Sequence, residues 1–167
     1  ISNLYTGRKL NFYTASFGQG IAVTPLQLIN AYSAIANGGR LMKPYVVASI
    51  RKPNGSEEQT QPKVIGNPIS DKTSLKLKYM LVDVVEKGFY KALVYGYNVA
   101  GKTCTSQIAD LKGGYLETDE FIQNFVGFAP AYDPEIVVTV LSEESGEGSS
   151  IAAPIAKKIV EDYFTRK

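Results

Sequence analysis

The chain has 167 residues, of which 44% are hydrophobic and 20% charged, and its formal net charge is +2. These values indicate one domain with a hydrophobic core, and the small, scattered positive charge argues against nucleic acid as a partner. With no histidine and one cysteine, the chain cannot build a Ser-His-Asp triad, a Cys-His dyad, a conventional zinc site or an internal disulfide. We therefore predict no metal site, and any proton shuttle within the chain has to be a lysine or a carboxylate. We also predict no cofactor.

The first predicted element follows an irregular start and is a helix from about Thr24 to Asn37. Thr24 is a good N-cap, and Pro25 occupies the first helical position, where a missing N–H costs nothing. The two glycines at 38–39 favour a left-handed helix end. Residues 41–52 then form a predicted strand, and the Lys-Pro-Asn-Gly turn at 52–55 leads to a polar segment that ends near Val64. We expect this hairpin to be peripheral.

A second predicted helix runs from about Ser70 to Lys87, with Ser70 as its N-cap and Gly88 at its end. Apolar residues recur along it at helical spacing, which predicts a face directed at the core. The residues of this stripe are Leu77, Met80, Leu81, Val84 and Val85.

Three strands and a helix are predicted for the rest of the chain, at about 98–107, 121–129, 136–142 and 151–164. A turn at 131–134 is short enough to join the last two strands as an antiparallel hairpin. The apolar face of the last helix, which is expected to lie across the sheet, comprises Ile155, Ile159, Tyr163 and Phe164. Helices packed beside an antiparallel sheet define an α+β fold in a single domain that covers residues 1–167.

The most informative motif is the run GKTCTSQ at 101–107, which follows the strand-like residues 97–100. The ammonium of Lys102 and the hydroxyls of Thr103 and Thr105 are short, directional donors on one extended segment, so they can hold a carboxylate and polarise a neighbouring serine. The remaining residues of the predicted substrate-binding strand are Cys104, Ser106 and Gln107.

This run resembles the Lys-Thr-Gly-Thr box of penicillin-binding proteins and serine β-lactamases, with Cys104 in the place of glycine. Residues 16–28, SFGQGIAVTPLQL, and 32–39, YSAIANGG, resemble the stretch that precedes the box in class B penicillin-binding proteins. Residues 125–130, FVGFAP, are similar to the following strand of that family, and 151–154, IAAP, to the start of its last helix. The resemblance covers nearly the whole chain, and it identifies the fold as the C-terminal part of a penicillin-binding or β-lactamase-like transpeptidase domain.

The resemblance implies a peptidoglycan D,D-transpeptidase that cross-links stem peptides by acyl-serine chemistry and binds β-lactam antibiotics. Lys102 and Thr105 are then the catalytic residues, with Lys102 assisting proton transfer and the Thr105 backbone N–H forming part of the oxyanion hole. The hydroxyls of Thr103 and Thr105 receive the carboxylate of the substrate. The implied partners are the peptidoglycan stem peptide, β-lactams, the N-terminal half of the domain and a cell-wall polymerase complex.

Two other motifs of the family are missing, because no Ser-x-x-Lys in a suitable place and no Ser-x-Asn precedes the Lys-Thr run. In the family both lie upstream of the region that this chain covers, so the chain alone is expected to be inactive. No run approaches the ~18–20 apolar residues of a membrane span and no signal peptide begins the chain. We expect an anchor upstream of Ile1 and a location at the extracytoplasmic face of the bacterial membrane.

Several alternatives remain open from the residues alone. Cys104 is a natural variant, an engineered substitution or the mark of a degenerate site, since a Cβ at a glycine position narrows the cleft or shifts the strand. A β-lactamase or β-lactam sensor shares the box, and a non-catalytic binding or regulatory module would lack a nucleophile. The loop 108–120 is either a solvated connection or a rim that contacts the substrate or a partner. The segment SGEGSS at 145–150 is read as a strand-to-helix link with a serine N-cap rather than a phosphate cradle.

Overall fold

A computed structural model describes residues 2–108, 110, 112–118, 120–146 and 151–167. The prediction of an irregular start is wrong. A 3-10 helix, Ser2–Thr6, and a helix α1, Lys9–Ser16, precede the first predicted element. No residue of α1 is buried and its apolar residues follow no helical stripe, so the periodicity that reveals amphipathic helices has nothing to detect there.

Helix α2, Pro25–Ala36, confirms the prediction and its start signal. The Thr24 hydroxyl accepts the Gln27 N–H at 3.2 Å, and the Gln27 side chain accepts the Thr24 N–H at 2.9 Å. This reciprocal capping box satisfies two N–H groups that the first turn would otherwise leave without partners. At the other end, Gly39 has a φ of +87°, in the left-handed region.

The predicted hairpin consists of two short ribbons instead of one. Strand β1, Leu41–Met42, pairs with β4, Val64–Gly66, whereas β2, Ser49–Arg51, pairs with β3, Glu57–Gln59. The turn between β2 and β3 lies at 52–55, as predicted, and the Lys52 N–H donates to the Ser56 carbonyl. The predicted long strand is interrupted after β1, where Pro44 has no N–H to offer a ladder.

Helix α3, Asp71–Gly88, has the predicted N-cap, because the Ser70 hydroxyl accepts the Thr73 N–H at 3.1 Å. Its predicted core stripe is partly wrong: Val85 is fully buried, but Met80 is 63% exposed. The buried face instead comprises Ser74, Lys78, Val82 and Val85. Two polar residues lie on that face, so a pattern that counts only apolar residues misses its direction.

Both buried polar residues of α3 have a physical explanation. The Ser74 hydroxyl donates to the Ile35 carbonyl at 2.6 Å and thereby joins α3 to α2. Burial lowers the pKa of the Lys78 ammonium, while the carboxylates of Asp71 and Asp133 act in the opposite direction. The Lys78 ammonium thus has near it one carboxylate from its own helix and one from the turn that joins the last two strands.

The three predicted strands form one antiparallel sheet in the order β5-β6-β7, with β5 at Ala100–Gln107, β6 at Glu120–Ala129 and β7 at Ile136–Gly146. The hairpin turn at 131–134 is confirmed by the pairing of Ala129 with Ile136. Strand β5 has β6 as its single neighbour among the described strands. The motif GKTCTSQ therefore lies on an edge strand.

Helix α4, Ala152–Thr165, packs on the sheet, but by a different face from the predicted one. Ile155, Ile159 and Tyr163 are 46%, 40% and 36% exposed. The buried residues of α4 are Ala152, Ala153, Ala156 and Val160. Small side chains bring the helix close to the sheet, which turns the larger residues outward. Of the predicted face, only Phe164 packs inward, stacked on Tyr97 at 4.0 Å between ring centroids.

The two faces of the sheet have separate cores. Phe125 on β6 packs in the cluster that includes α4, and Phe128 packs in the cluster that includes residues of α2 and α3. The α+β class is confirmed. Within the described part of the chain, no helix combines the length and the apolarity needed to cross a membrane.

Candidate active-site strand

The register of the sheet assigns each residue of the motif to a face of β5. Thr103 pairs with Phe125, and Lys102 pairs with Val126. Since paired residues share a face and neighbours alternate, Thr103 and Thr105 lie on the α4 side of the sheet. Lys102 and Cys104 lie on the other side, as strict alternation predicts. The hydroxyls and the ammonium therefore approach the strand edge from opposite faces.

The last two residues of the motif continue this alternation. Ser106 pairs with Ile122 and shares the face of Lys102, whereas Gln107 pairs with Phe121 and shares the face of the threonines. The Ser106 hydroxyl lies 3.5 Å from the Ile122 carbonyl, at the outer limit of a hydrogen bond. All six predicted site residues are thus on one continuous strand.

The ammonium of Lys102 is exposed and lies at the strand edge. Its Nζ donates to the Thr103 carbonyl at 2.6 Å and lies 5.4 Å from the centroid of the Phe89 ring. Phe89 was not predicted as a site residue. It follows the end of α3, and no local sequence pattern connects it with a lysine on a strand.

Cys104 is half-buried on the same face of the strand as Lys102. It lies beside Gly18, in the segment 16–28 that resembles the stretch before the Lys-Thr-Gly box. A Cβ atom built on Gly18 would lie 3.9 Å from the Cys104 sulfur, so Gly18 lies beside this side chain with room for little more than a methyl group. Burial raises the pKa of the Tyr32 hydroxyl, and the nearby Cys104 adds to this effect. The fold thus brings two distant sequence motifs close together.

The loop after β5 is hydrogen-bonded to the segment 16–28. The Gly20 N–H donates to the Tyr115 hydroxyl at 3.2 Å, and the Leu116 N–H donates to the Ile108 carbonyl at 2.9 Å. Residues 109, 111 and 119 of this loop lie outside the described residues. The described part of the loop is thus hydrogen-bonded to Gly20, two residues from the glycine that lies beside Cys104.

The link between β7 and α4 does not carry the predicted serine N-cap. The N-cap residue of α4 is Ile151, whose N–H donates to the side-chain oxygen of Gln123 at 3.3 Å. Residues 147–150 of the segment SGEGSS lie outside the described residues.

One Ser-x-x-Lys spacing does occur in the chain, at Ser49 to Lys52, on and directly after the peripheral strand β2. On extended backbone, residues three apart point to opposite faces. The Lys52 ammonium is paired with Glu58 at 2.9 Å. This spacing therefore does not assemble a serine with its base.

Fold and strand together define an α+β domain whose edge strand presents one cation and a row of hydroxyls. Residues 2–161 match the family model described as the penicillin binding protein transpeptidase domain. The chain belongs to this family. The resemblance to class B penicillin-binding proteins is confirmed by its relatives.

Among curated proteins, stage V sporulation protein D of Bacillus subtilis is 40% identical over 89% of this chain and 24% of its own length. The peptidoglycan D,D-transpeptidase MrdA of Acinetobacter baumannii is 33% identical over 92% of this chain and 24% of its own length. The chain thus spans about a quarter of the length of these relatives.

Solved structures agree with the fold. Penicillin-binding protein 3 of Mycobacterium tuberculosis, complexed with aztreonam, matches with a TM-score of 0.83 and 30% identity, over 93% of this chain and 38% of that one. The imipenem acyl-enzyme complex of penicillin-binding protein A from the same organism matches with a TM-score of 0.78 and 29% identity, over 90% and 33% of the two chains.

Proposed function

We propose that this chain is the part of a peptidoglycan D,D-transpeptidase that carries the substrate-binding strand. The observation that supports this best is the position of Lys102, Thr103 and Thr105 on the edge strand of a transpeptidase-family domain. An extended ligand that lies along this edge receives hydroxyl donors from one face and an ammonium from the other. A stem peptide ending in a carboxylate, or a β-lactam, has the charge and length for such a groove.

The proposed reaction is an acyl transfer in two steps. A serine from the preceding part of the protein attacks the carbonyl of the penultimate D-Ala, the C–N bond to the terminal D-Ala breaks, and that residue leaves with a proton. The amine of a neighbouring stem then attacks the acyl-serine and releases the serine. Lys102 supplies positive charge next to the reacting groups, and the two threonines hold the terminal carboxylate.

A fluorescent penicillin tests this function. We expect covalent labelling, stable to denaturation, of a longer polypeptide that joins these residues to an upstream Ser-x-x-Lys motif, and no serine-linked labelling of residues 1–167 alone. Intact cells should be labelled by a membrane-impermeant form, because we place the site on the outer face of the cytoplasmic membrane. A longer polypeptide that binds the penicillin only reversibly would contradict the enzyme and favour a binding module. An adduct on the short chain would contradict the expectation unless it maps to Cys104.

We also propose that the missing half of the domain packs against these residues. Large apolar side chains are exposed on α1 and on the outer face of α4, among them Leu10, Phe12, Ile155 and Ile159 at 68%, 51%, 46% and 40%. A groove of about 530 Å³ between α4 and the start of β7 adjoins the α4 residues. Large contiguous patches of exposed apolar surface are rare on proteins that are monomeric in solution.

Residues 1–167 purified alone should consequently associate, and co-expression with the upstream half should convert them to a defined, cooperatively melting complex. Analytical ultracentrifugation with thermal melting measures both properties. A monomeric short chain that melts cooperatively in dilute solution would contradict the proposal.

A further inference from the structure

Among the residues that the structure describes, no carboxylate pairs with the ammonium of Lys102. A lysine has a flexible four-carbon stem, so an exposed one loses rotamer freedom when it is held in a single geometry. Two neighbours hold this one, the Thr103 carbonyl and the face of the Phe89 ring.

Phe89 is itself fixed at a rigid point of the fold. Its N–H donates to the carbonyls of Val84 and Val85 at 3.1 and 3.2 Å, and its own carbonyl accepts the Ala92 N–H at 2.9 Å. Val85 and Ala92 are 0% and 1% exposed, in the same core cluster. The ring therefore extends from a backbone that is held on both sides.

We infer that Phe89 is a positioning residue for Lys102, an inference that rests on the proposed function. A ring face within about 6 Å attracts an ammonium through its quadrupole and leaves the cation's charge unneutralised. A carboxylate in the same place would compete with the carboxylate of the substrate for Lys102. The aromatic contact instead limits the conformations of the side chain and keeps the ammonium available.

The test compares acylation by a fluorescent penicillin in the longer polypeptide that contains the upstream serine. Phe89→Leu removes the ring, Phe89→Tyr keeps it, and Tyr90→Leu removes an adjacent aromatic that is 70% exposed. We expect Phe89→Leu to lower the acylation rate constant about three- to tenfold, with a smaller change in the dissociation constant of the non-covalent complex. Phe89→Tyr and Tyr90→Leu should acylate at the rate of the unmodified protein.

Thermal melting of every variant accompanies the kinetics, and Phe89→Met serves as a second ring-free variant if Phe89→Leu does not fold. Equal rates for the ring-free variants and the unmodified protein would overturn the inference. So would equally slow Leu and Tyr variants, since the ring would then not be the cause. If Lys102→Ala abolishes acylation while Phe89→Leu has no effect, the proposed function stands and the positioning role fails. If Lys102→Ala has no effect on acylation, the proposed function fails, and the positioning role of Phe89 fails with it.

Discussion

Replacing Lys102 with alanine in the longer polypeptide should lower the rate of acylation by a β-lactam by about a hundredfold or more. The substitution removes the one cation of the motif from the edge of β5, where the donors of both faces meet. Lys102 is exposed, so its loss leaves the core intact and the melting temperature close to that of the unmodified protein. Stopped-flow or gel-based acylation kinetics with a fluorescent penicillin give the rate.

Two variants serve as controls for this result. Lys91→Ala removes another exposed cation from the 3-10 helix Tyr90–Ala92 that follows α3, and should not change the rate. Cys104→Gly should raise the rate or leave it unchanged, because it frees the backbone beside Gly18 and removes no catalytic group. Loss of acylation in Cys104→Gly but not in Lys102→Ala would reverse the assignment and make the thiol the working group.

The largest loss of stability from a single methyl group is expected at Gly39. A Cβ at this position would lie 2.1 Å from the Ile69 carbonyl oxygen, and the backbone there has a φ of +87°. Neither the carbonyl nor the left-handed torsion can relax without moving the end of α2. We expect Gly39→Ala to lower the free energy of unfolding by about 2–5 kcal/mol, as the sum of torsional strain and overpacking.

Gly55→Ala is the matched control for this prediction. Gly55 has nearly the same torsion, with a φ of +83°, but its Cβ would meet no atom within 4 Å. Only the torsional cost remains, about 1–2 kcal/mol. Urea unfolding of the two variants in the same polypeptide separates the effects. If Gly39→Ala and Gly55→Ala destabilised the protein equally, the Ile69 carbonyl would move away from the added methyl group at little cost, and the left-handed torsion alone would account for the effect.

Local chemistry made several elements predictable. The N-caps Thr24 and Ser70, the glycines after α2 and the short turn between β6 and β7 act within a few residues of themselves. Their effect on the backbone does not depend on the rest of the chain, so the starts of α2 and α3, the end of α2 and the hairpin between β6 and β7 follow from them. The end of β7 does not, because the strand runs to Gly146 and not to the predicted residue 142.

The burial of helix faces was less predictable. On α3 the buried face includes Ser74 and Lys78, and on α4 it consists largely of alanines, so neither face is the most hydrophobic one in the sequence. The larger apolar side chains of α4 remain exposed in the structure of residues 1–167. This exposure agrees with the proposal that the upstream half of the domain packs against α4. A pattern of hydrophobicity cannot tell which apolar face meets the sheet and which meets another part of the protein.

The sequence by itself determined the α+β class, the motif at 101–107 on an extended segment and the resemblance to the transpeptidase family, because these depend on residue types and on order along the chain. Only the tertiary structure decided that Cys104 lies beside Gly18, that Tyr115 is hydrogen-bonded to Gly20 and that Lys102 lies over Phe89. These contacts join residues far apart in sequence. Their geometry is fixed by the packing of α3 and the sheet and by the register of β5, and none of these leaves a local pattern in the sequence.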